Sequence, residues 1–510
     1  MSNLNKCNFC QNSAQQKCSG CQQIFYCSKE HQKLDWKCHK KNCQCFKITS
    51  NKEIGRFLSA TRDIKPNEII LKEKPLIYGP AQETIPVCLG CNQEISTNNY
   101  RLCSKCQWPM CSEKCEANPS HLPECNFISK SKAKISPIPK HFYQCILVLR
   151  CLYQKQHNPS LWKKLNLLES HCKERQTTPG YYNEKVMATE LIQKLFKMEF
   201  SLDEILKVCG IIMVNAHEVP LSEPPYVAIY EKTSMFENNC SSNCSKTFTE
   251  AGEILITSGV QIKKDDHLSI CYADPLWNTT NRRMFLNETK FFWCTCKRCT
   301  DLTEFGSYFS AVSCQNKFDG GILLPTNDDE NWICNKCNST VPNLLVNSLL
   351  DKIGKEISDL DKNNVSKCKA FINKLKGILP SNNFHLVDVK LALSQLIGQT
   401  MGGLAQVSNE DLELKRSICE ELIKLTETII PSEKRVRGLL KFEHHASLAE
   451  LARRSNKNNQ QIKLILKESA LNLQDCIELL KYEPKILPEG QICEQARKNM
   501  NDLSKFIIEK

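Results

Sequence analysis

Residues 55–79 read GRFLSATRDIKPNEIILKEKPLIYG. Apolar residues gather in short runs, with Asp63, Pro66 and Asn67 between them. Pro fixes φ and Asn accepts tight turns, so the stretch reads as short strands joined by turns. Cysteine brackets it on both sides. Upstream stand Cys7, Cys10, Cys18, Cys21, Cys27, His31, His39 and Cys43. Downstream the order recurs as Cys88, Cys91, Cys103, Cys106, Cys111, Cys115, His121 and Cys125. One module is used twice, and two copies are too few for a solenoid.

The spacing carries the chemistry. A C-x2-C turn sets two thiolates on one side of a knuckle, about 2.3 Å from a shared zinc. A second pair, or H-x3-C as in His39–Cys43 and His121–Cys125, completes a tetrahedron. Small segments with little core need this, because metal binding supplies their folding energy. Fifteen of the 32 cysteines precede residue 126, so metal chemistry is concentrated at the N-terminus. The opening MSNLNKCNFC lacks a signal peptide's apolar stretch, and no apolar run reaches the roughly 18 residues of a membrane helix. Cytoplasm and nucleus are the expected locations, with no membrane association, and reduced thiols there favour zinc over disulfides. The net charge of +12 is spread along all 510 residues, and no basic segment is interleaved with aromatics. Direct nucleic-acid binding is therefore not expected.

Beyond the modules, Pro139 to about Val208 reads as helical, as in FYQCILVLRCL. Residues 209–273 return to short β-type runs such as GEILITSG and HLSICY. From about Asn343 the pattern is helical to the end; Val346, Leu349, Leu350, Ile353, Ile357 and Leu360 follow helical spacing. The expected organisation is a zinc module at 1–46, strands at 47–83, a second module at 84–128, a helical insert at 129–208, a β core at 209–276, a cysteine-rich region at 277–340 and an α-helical domain of stacked hairpins at 341–510.

The first module, with Y26CSKEHQ and W36KCHKKNC43, resembles the MYND zinc finger. The resemblance implies that Cys7, Cys10, Cys27 and His31 take one zinc and that Cys18, Cys21, His39 and Cys43 take another. It also implies proline-containing peptide partners, for which the first copy keeps suitable aromatics. The second module has a complete ligand set but lacks the YCS and Trp signatures. Five further segments resemble, in order, the SET domain of the SMYD family: G55RFLSATRDIKPNEII, G210IIMVNAHEV, S234MFENNCSSN, I270CYAD and F292WCTCKRC. The segment R435VRGLLKFEHH is similar to the helical tail of the arthropod branch. The implied fold is α+β: small SET-type sheets with inserted zinc modules and a helical insert, then an α-helical, TPR-like C-terminal domain.

The resemblance implies a protein-lysine N-methyltransferase that uses S-adenosyl-L-methionine (SAM), with a protein lysine as substrate and about five zinc ions. Methyl transfer needs sulfur, methyl and nitrogen in line and the amine uncharged. Tyr272 is the implied catalytic residue; Leu268 and Ile270 share its face at period two, so it ends a buried strand. The implied cofactor residues are Glu53, Ile54, Gly55, Arg56, Asn215, Ser234, Glu237, Asn238, Tyr272 and Phe292, with Phe292 stacking on adenine and Asn215 bonding the amino-acid end. Cys294, Cys296 and Cys299 are one ligand short of a tetrahedron. The resemblance supplies Cys240, with Cys244 a nearby competitor. Cys314, Cys334 and Cys337 suggest a further site, with Lys317 where the related pattern has cysteine.

Three departures stand out. Glu237-Asn238 replaces the family's Asn-His, Glu53-Ile54 replaces Gly-Asn, and Lys290 replaces an aromatic two residues before Phe292. A carboxylate near a positive sulfonium is tolerable; a lysine lining a lysine channel is harder to accept unless it points to solvent. The alternative reading is a catalytically weak or inactive scaffold that recruits protein partners through its first zinc module.

Overall fold

The computed structural model describes residues 5–18, 24–95, 100–131, 133, 140–316, 320–326, 330–399, 402–455 and 459–509. Cys21 and Lys317 lie outside the described residues. The stretch at 55–79 forms the strands Gly55–Ala60, Ile69–Glu73 and Ile77–Pro80. Each joins a different small sheet. Gly55–Ala60 pairs with Phe46–Asn51 in an antiparallel hairpin. Ile69–Glu73 borders Ile254–Ser258, which pairs in turn with Cys244–Phe248. Ile77–Pro80 borders Tyr226–Ile229, followed by Ala216–Val219. The short strand Glu237–Asn238 runs parallel to Ser269–Ile270.

One apolar core unites strands from both sides of the second zinc module: Phe46, Leu58, Ile70, Ala228, Phe236, Ile256 and Leu268 are all buried in it. Burial of such side chains is worth about 1.5–3 kcal/mol each, which offsets the entropy of closing the long insert between them.

The insert is helical, as the pattern expects, and its helix Ile146–His157 buries seven consecutive residues from Ile146 to Leu152. The β reading of 209–273 begins too early. Leu202–Asn215 is one helix, started by a capping box in which Ser201 and Glu204 exchange side-chain and backbone bonds. The β-branched run Ile211, Ile212 and Val214 is helical because packing against Ile146–His157 and its neighbours outweighs propensities of a few tenths of a kcal/mol.

The two zinc modules are placed differently. Cys88, Cys103, Trp108 and Cys125 share one core with the helical insert. The first module keeps a small core of its own, around Cys7, Ala14, Cys18, Tyr26 and Cys43.

A four-stranded antiparallel sheet, Val312–Ser313, Ile322–Pro325, Asn331–Cys334 and Thr340–Pro342, leads into the C-terminal helices. The first helix starts at Asn343. The last four, Asn409–Ile429, Lys434–Arg454, Asn459–Leu480 and Pro488–Glu509, pack consecutively. Their docking onto the β core is specific. The buried Lys434 ammonium donates to Thr257 Oγ1 at 2.8 Å, and Ser432 Oγ donates to Ser242 O at 2.5 Å. Among the described residues no helix is long and apolar enough to cross a membrane.

Candidate functional site

The cysteine spacing becomes geometry at four complete clusters. A tetrahedron of 2.3 Å zinc–sulfur bonds has edges of about 3.8 Å. Cys7, Cys10, Cys27 and His31 present their ligand atoms within 4.8 Å of one another, as do Cys88, Cys91, Cys111 and Cys115, then Cys103, Cys106, His121 and Cys125. The edges Cys10–Cys27, Cys91–Cys111 and Cys103–Cys125 measure 3.5, 3.8 and 3.8 Å. Cys18, His39 and Cys43 form a fifth group, with Cys18–Cys43 at 3.6 Å. Among the described residues the ligand atoms group in the alternating way implied for the first module, Cys21 lying outside them, and the second module shows the same grouping. Thiolate and imidazole donors at these spacings fit zinc.

His121 turns its other ring nitrogen to Glu124 Oε1 at 3.0 Å, and Arg150 binds the same carboxylate at 2.6 and 2.9 Å. Arg150 also donates to Tyr78 O and Leu89 O, both at 2.8 Å. A carboxylate behind a ligating histidine fixes its orientation. Here it also ties the second module to the strand Ile77–Pro80.

Cys240, Cys294, Cys296 and Cys299 form the fourth complete cluster, with Cys240 3.9 Å from Cys294 and 3.5 Å from Cys299. Cys244 is not part of it; it is buried in its strand, its thiol directed to Asn243 Oδ1 at 3.3 Å. Behind the cluster lie Arg282, Arg298 and Glu304, none more than 1% exposed. Arg298 donates to Glu304 at 2.7 Å and to Cys240 O at 3.1 Å, while Arg282 reaches Cys299 Sγ at 3.5 Å. Four thiolates around a divalent cation leave two negative charges, and two buried guanidiniums are their natural counter-ions. Cys314 and Cys337 stand 3.7 Å apart, and Ser339 Oγ lies 3.6 Å from Cys314 Sγ.

Tyr272 follows the strand Ser269–Ile270 and packs between the β core and the Cys240 cluster. Its hydroxyl donates to Phe236 O. Its backbone N–H donates to Asn238 Oδ1 at 3.0 Å, and Asn238 Nδ2 donates onward to Cys294 Sγ at 3.5 Å. One amide therefore fixes the tyrosine backbone against a zinc ligand. Burial pushes the Tyr272 phenol up, and the Glu237 carboxylate adds to this, so the hydroxyl stays protonated. Glu237 itself pairs with His267 Nδ1 at 2.7 Å, and burial raises its carboxyl. Ser234 Oγ donates to Tyr230 O at 2.6 Å. Phe292 packs against the cluster that also holds Tyr272 and Leu286.

Lys290 is half-buried, and its ammonium turns inward rather than to solvent. Its Nζ donates to Val214 O at 2.6 Å and Met213 O at 3.3 Å, and lies 5.9 Å from the Tyr272 ring centroid. The reason is the helix end: the last carbonyls of Leu202–Asn215 need donors, and a lysine at the close of Thr279–Lys290 supplies one.

Asn215, at that same helix end, is buried. Its amide donates to Glu169 O at 2.7 Å and Ile211 O at 2.9 Å, so a ligand would meet its oxygen. Glu53, Ile54, Gly55 and Arg56 form the exposed tip of the hairpin. The N–H groups of Glu53 and Ile54 bond Asn51 Oδ1 at 3.0 and 2.7 Å, and Gly55 sits at φ +77°. Arg56 reaches Leu167 O in the helical insert at 2.5 Å.

Sequence reasoning missed the double role of Asn238, the Arg282–Arg298–Glu304 group and the Glu124–Arg150 link. An arginine inside the apolar helix ILVLRCL was the one available signal, since a buried guanidinium requires a buried partner.

The MYND finger family model matches residues 7–43. The chain is 24% identical over 368 residues to "SET domain-containing protein SmydA-8, isoform A" of Drosophila melanogaster, covering 68% of this chain and 76% of the fly protein. It is 26% identical over 316 residues to "Histone-lysine N-methyltransferase ASHR1" of Arabidopsis thaliana, covering 58% and 64%. To "Histone-lysine N-methyltransferase SMYD3" of Mus musculus it is 24% identical over 256 residues, covering 48% and 59%. The solved SET domain of LSMT bound to lysine and AdoHcy is similar over 94% of each chain at 12% identity and a TM-score of 0.29, too slight a likeness to bear on the fold. Small sheets split by zinc modules, with a tyrosine packed beside a four-thiolate cluster, are the build of a SET protein carrying MYND-type fingers. The chain is similar to SMYD-family proteins, and its similarity to the fly protein fits the arthropod branch.

Proposed function

We propose that this chain is a SAM-dependent protein-lysine N-methyltransferase acting on histone or non-histone lysines in transcriptional regulation, in the cytoplasm and nucleus. The observation that carries the reading is Tyr272, held by Asn238 at its backbone and by Phe236 O at its hydroxyl, beside the Cys240 cluster. When bound, SAM supplies an electrophilic methyl on a sulfonium. Asn215, Ser234, Glu237, Asn238, Phe292 and the 53–56 hairpin tip are the residues that hold it on this reading. The oxygen of Asn215 would accept from the cofactor's ammonium, and the Phe292 ring would stack on its adenine. Tyr272 orients the acceptor amine with a neutral hydroxyl, which adds no charge to a site that must receive an uncharged amine. A zinc held by Cys240, Cys294, Cys296 and Cys299 would keep the strand end beside Tyr272 in place.

The test is incubation of zinc-loaded protein with labelled SAM and whole lysate, alongside calorimetry with SAM. Stoichiometric SAM binding and label in lysate proteins are expected. Folded protein that binds no SAM overturns the reading.

One observation favours a second role. The first finger stands apart from the common core and leaves Phe9 48% and Trp36 40% exposed. That finger is the surface for proline-containing peptide partners, and if SAM does not bind, a scaffold function through it takes the lead.

A further inference from the structure

Lys290 places an amine inside the proposed transfer site. Its Nζ is anchored on the carbonyls of Met213 and Val214, the two residues before Asn215, and faces the Tyr272 ring. It therefore lies between the residue read as holding the cofactor's amino-acid end and the residue read as orienting the acceptor. The bonding also suits a nucleophile. A neutral amine has two N–H groups and one lone pair. With both N–H groups donated to two carbonyls, the lone pair points away from them, into the site.

We propose that Lys290 is a methyl acceptor built into the chain, taking methyl from SAM in cis. The proposal rests on the methyltransferase reading. The Nζ lone pair attacks the sulfonium methyl, an N–C bond forms and the S–CH3 bond breaks. The bonding pair stays on sulfur as a neutral thioether, and the methylammonium formed returns its proton to water. The surroundings help the amine reach its neutral form. Burial and the Lys246 cation push it down to about 8. His217, on the strand Ala216–Val219, is also held neutral by burial and by Lys246 and Lys290. Glu237 acts on the Tyr272 side.

The experiment uses the full chain with labelled SAM and no other protein. Peptide mass spectrometry should place the methyl on Lys290, at a rate independent of protein concentration, absent in Lys290→Arg and reduced in Tyr272→Phe. A second measurement needs no turnover: calorimetry with SAM and with its thioether product. An ammonium facing the sulfonium weakens SAM selectively, so Lys290→Met should tighten SAM relative to the product by about tenfold, the worth of one pKa unit of interaction. Bound SAM with no methyl on Lys290, a rate that climbs with protein concentration, or an affinity ratio unmoved by Lys290→Met overturns the proposal and leaves the enzyme reading standing. Failure to bind SAM at all removes both.

Discussion

Asn238 illustrates how much one side chain can fix. Its amide accepts from Tyr272 and donates to Cys294, so tyrosine placement and zinc ligation are one arrangement. The sequence shows Asn238 only as a departure from Asn-His, which suggests a lost contact; the fold shows a different contact made. For Tyr272 itself we expect Tyr272→Phe to lower turnover by roughly 100–1,000-fold, the usual cost of one positioned donor. SAM affinity measured by calorimetry should stay within a few-fold, because the hydroxyl serves the acceptor. Unfolding of the variant, or unchanged turnover, removes the assignment.

The helices Lys434–Arg454 and Asn459–Leu480 carry a titratable pair at their contact. His445 Nδ1 bonds Ser469 Oγ at 2.7 Å, and its Nε2 lies 3.4 Å from Asn499 Nδ2. Burial pushes His445 down to about 4, and burial also lowers His444. The sign follows from linkage. The unfolded chain takes up a proton near pH 6.5 while folded His445 resists until about 4, so stability falls as pH drops through that window. Each unit is worth about 1.4 kcal/mol, giving a loss of roughly 3 kcal/mol by pH 4. Urea midpoints between pH 7 and pH 5 should fall accordingly, and His445→Gln should flatten the dependence. At this scale the sequence was readable where spacing is local. The C-terminal helices, starting at Asn343, follow from apolar periodicity. The helix through Val214 does not, because its packing partners, from Ile146–His157 to Ala188–Leu195, lie outside the run itself and override its β-branched residues.

Across the whole molecule, metal and domain docking set integrity. Five ligand groups predict about five zinc ions per chain, which elemental analysis of purified protein would report. A value of two or fewer contradicts the two-module reading. Cys103→Ser should damage more than its own module, because loss of that zinc frees His121, which is bonded through Glu124 to the fully buried Arg150. The docking of the C-terminal helices turns on Gly259. A Cβ there would lie 2.3 Å from Ser432 Oγ and 2.4 Å from its Cα, backbone that cannot step aside. Gly259→Ala should therefore cost about 1–3 kcal/mol and separate the helices from the β core, seen as a lower melting temperature and new protease sites between them.

The sequence alone determined the metal chemistry, since C-x2-C and H-x3-C place donors through local backbone geometry. It also determined the two-copy module, the helical tail and, by resemblance, the SET-type core. Spacing left open which thiol joins Cys294, Cys296 and Cys299; resemblance pointed to Cys240, and the tertiary structure sets it there. Cys240 and Cys244 are close in sequence, but only Cys240 lies past the end of the parallel strand and faces the cluster. Tertiary structure alone decided that Lys290 turns inward, because the carbonyls it satisfies end a helix more than seventy residues earlier. Charges and hydrogen bonds between distant segments leave no period in a sequence; they exist only once burial has removed the water that would otherwise satisfy them.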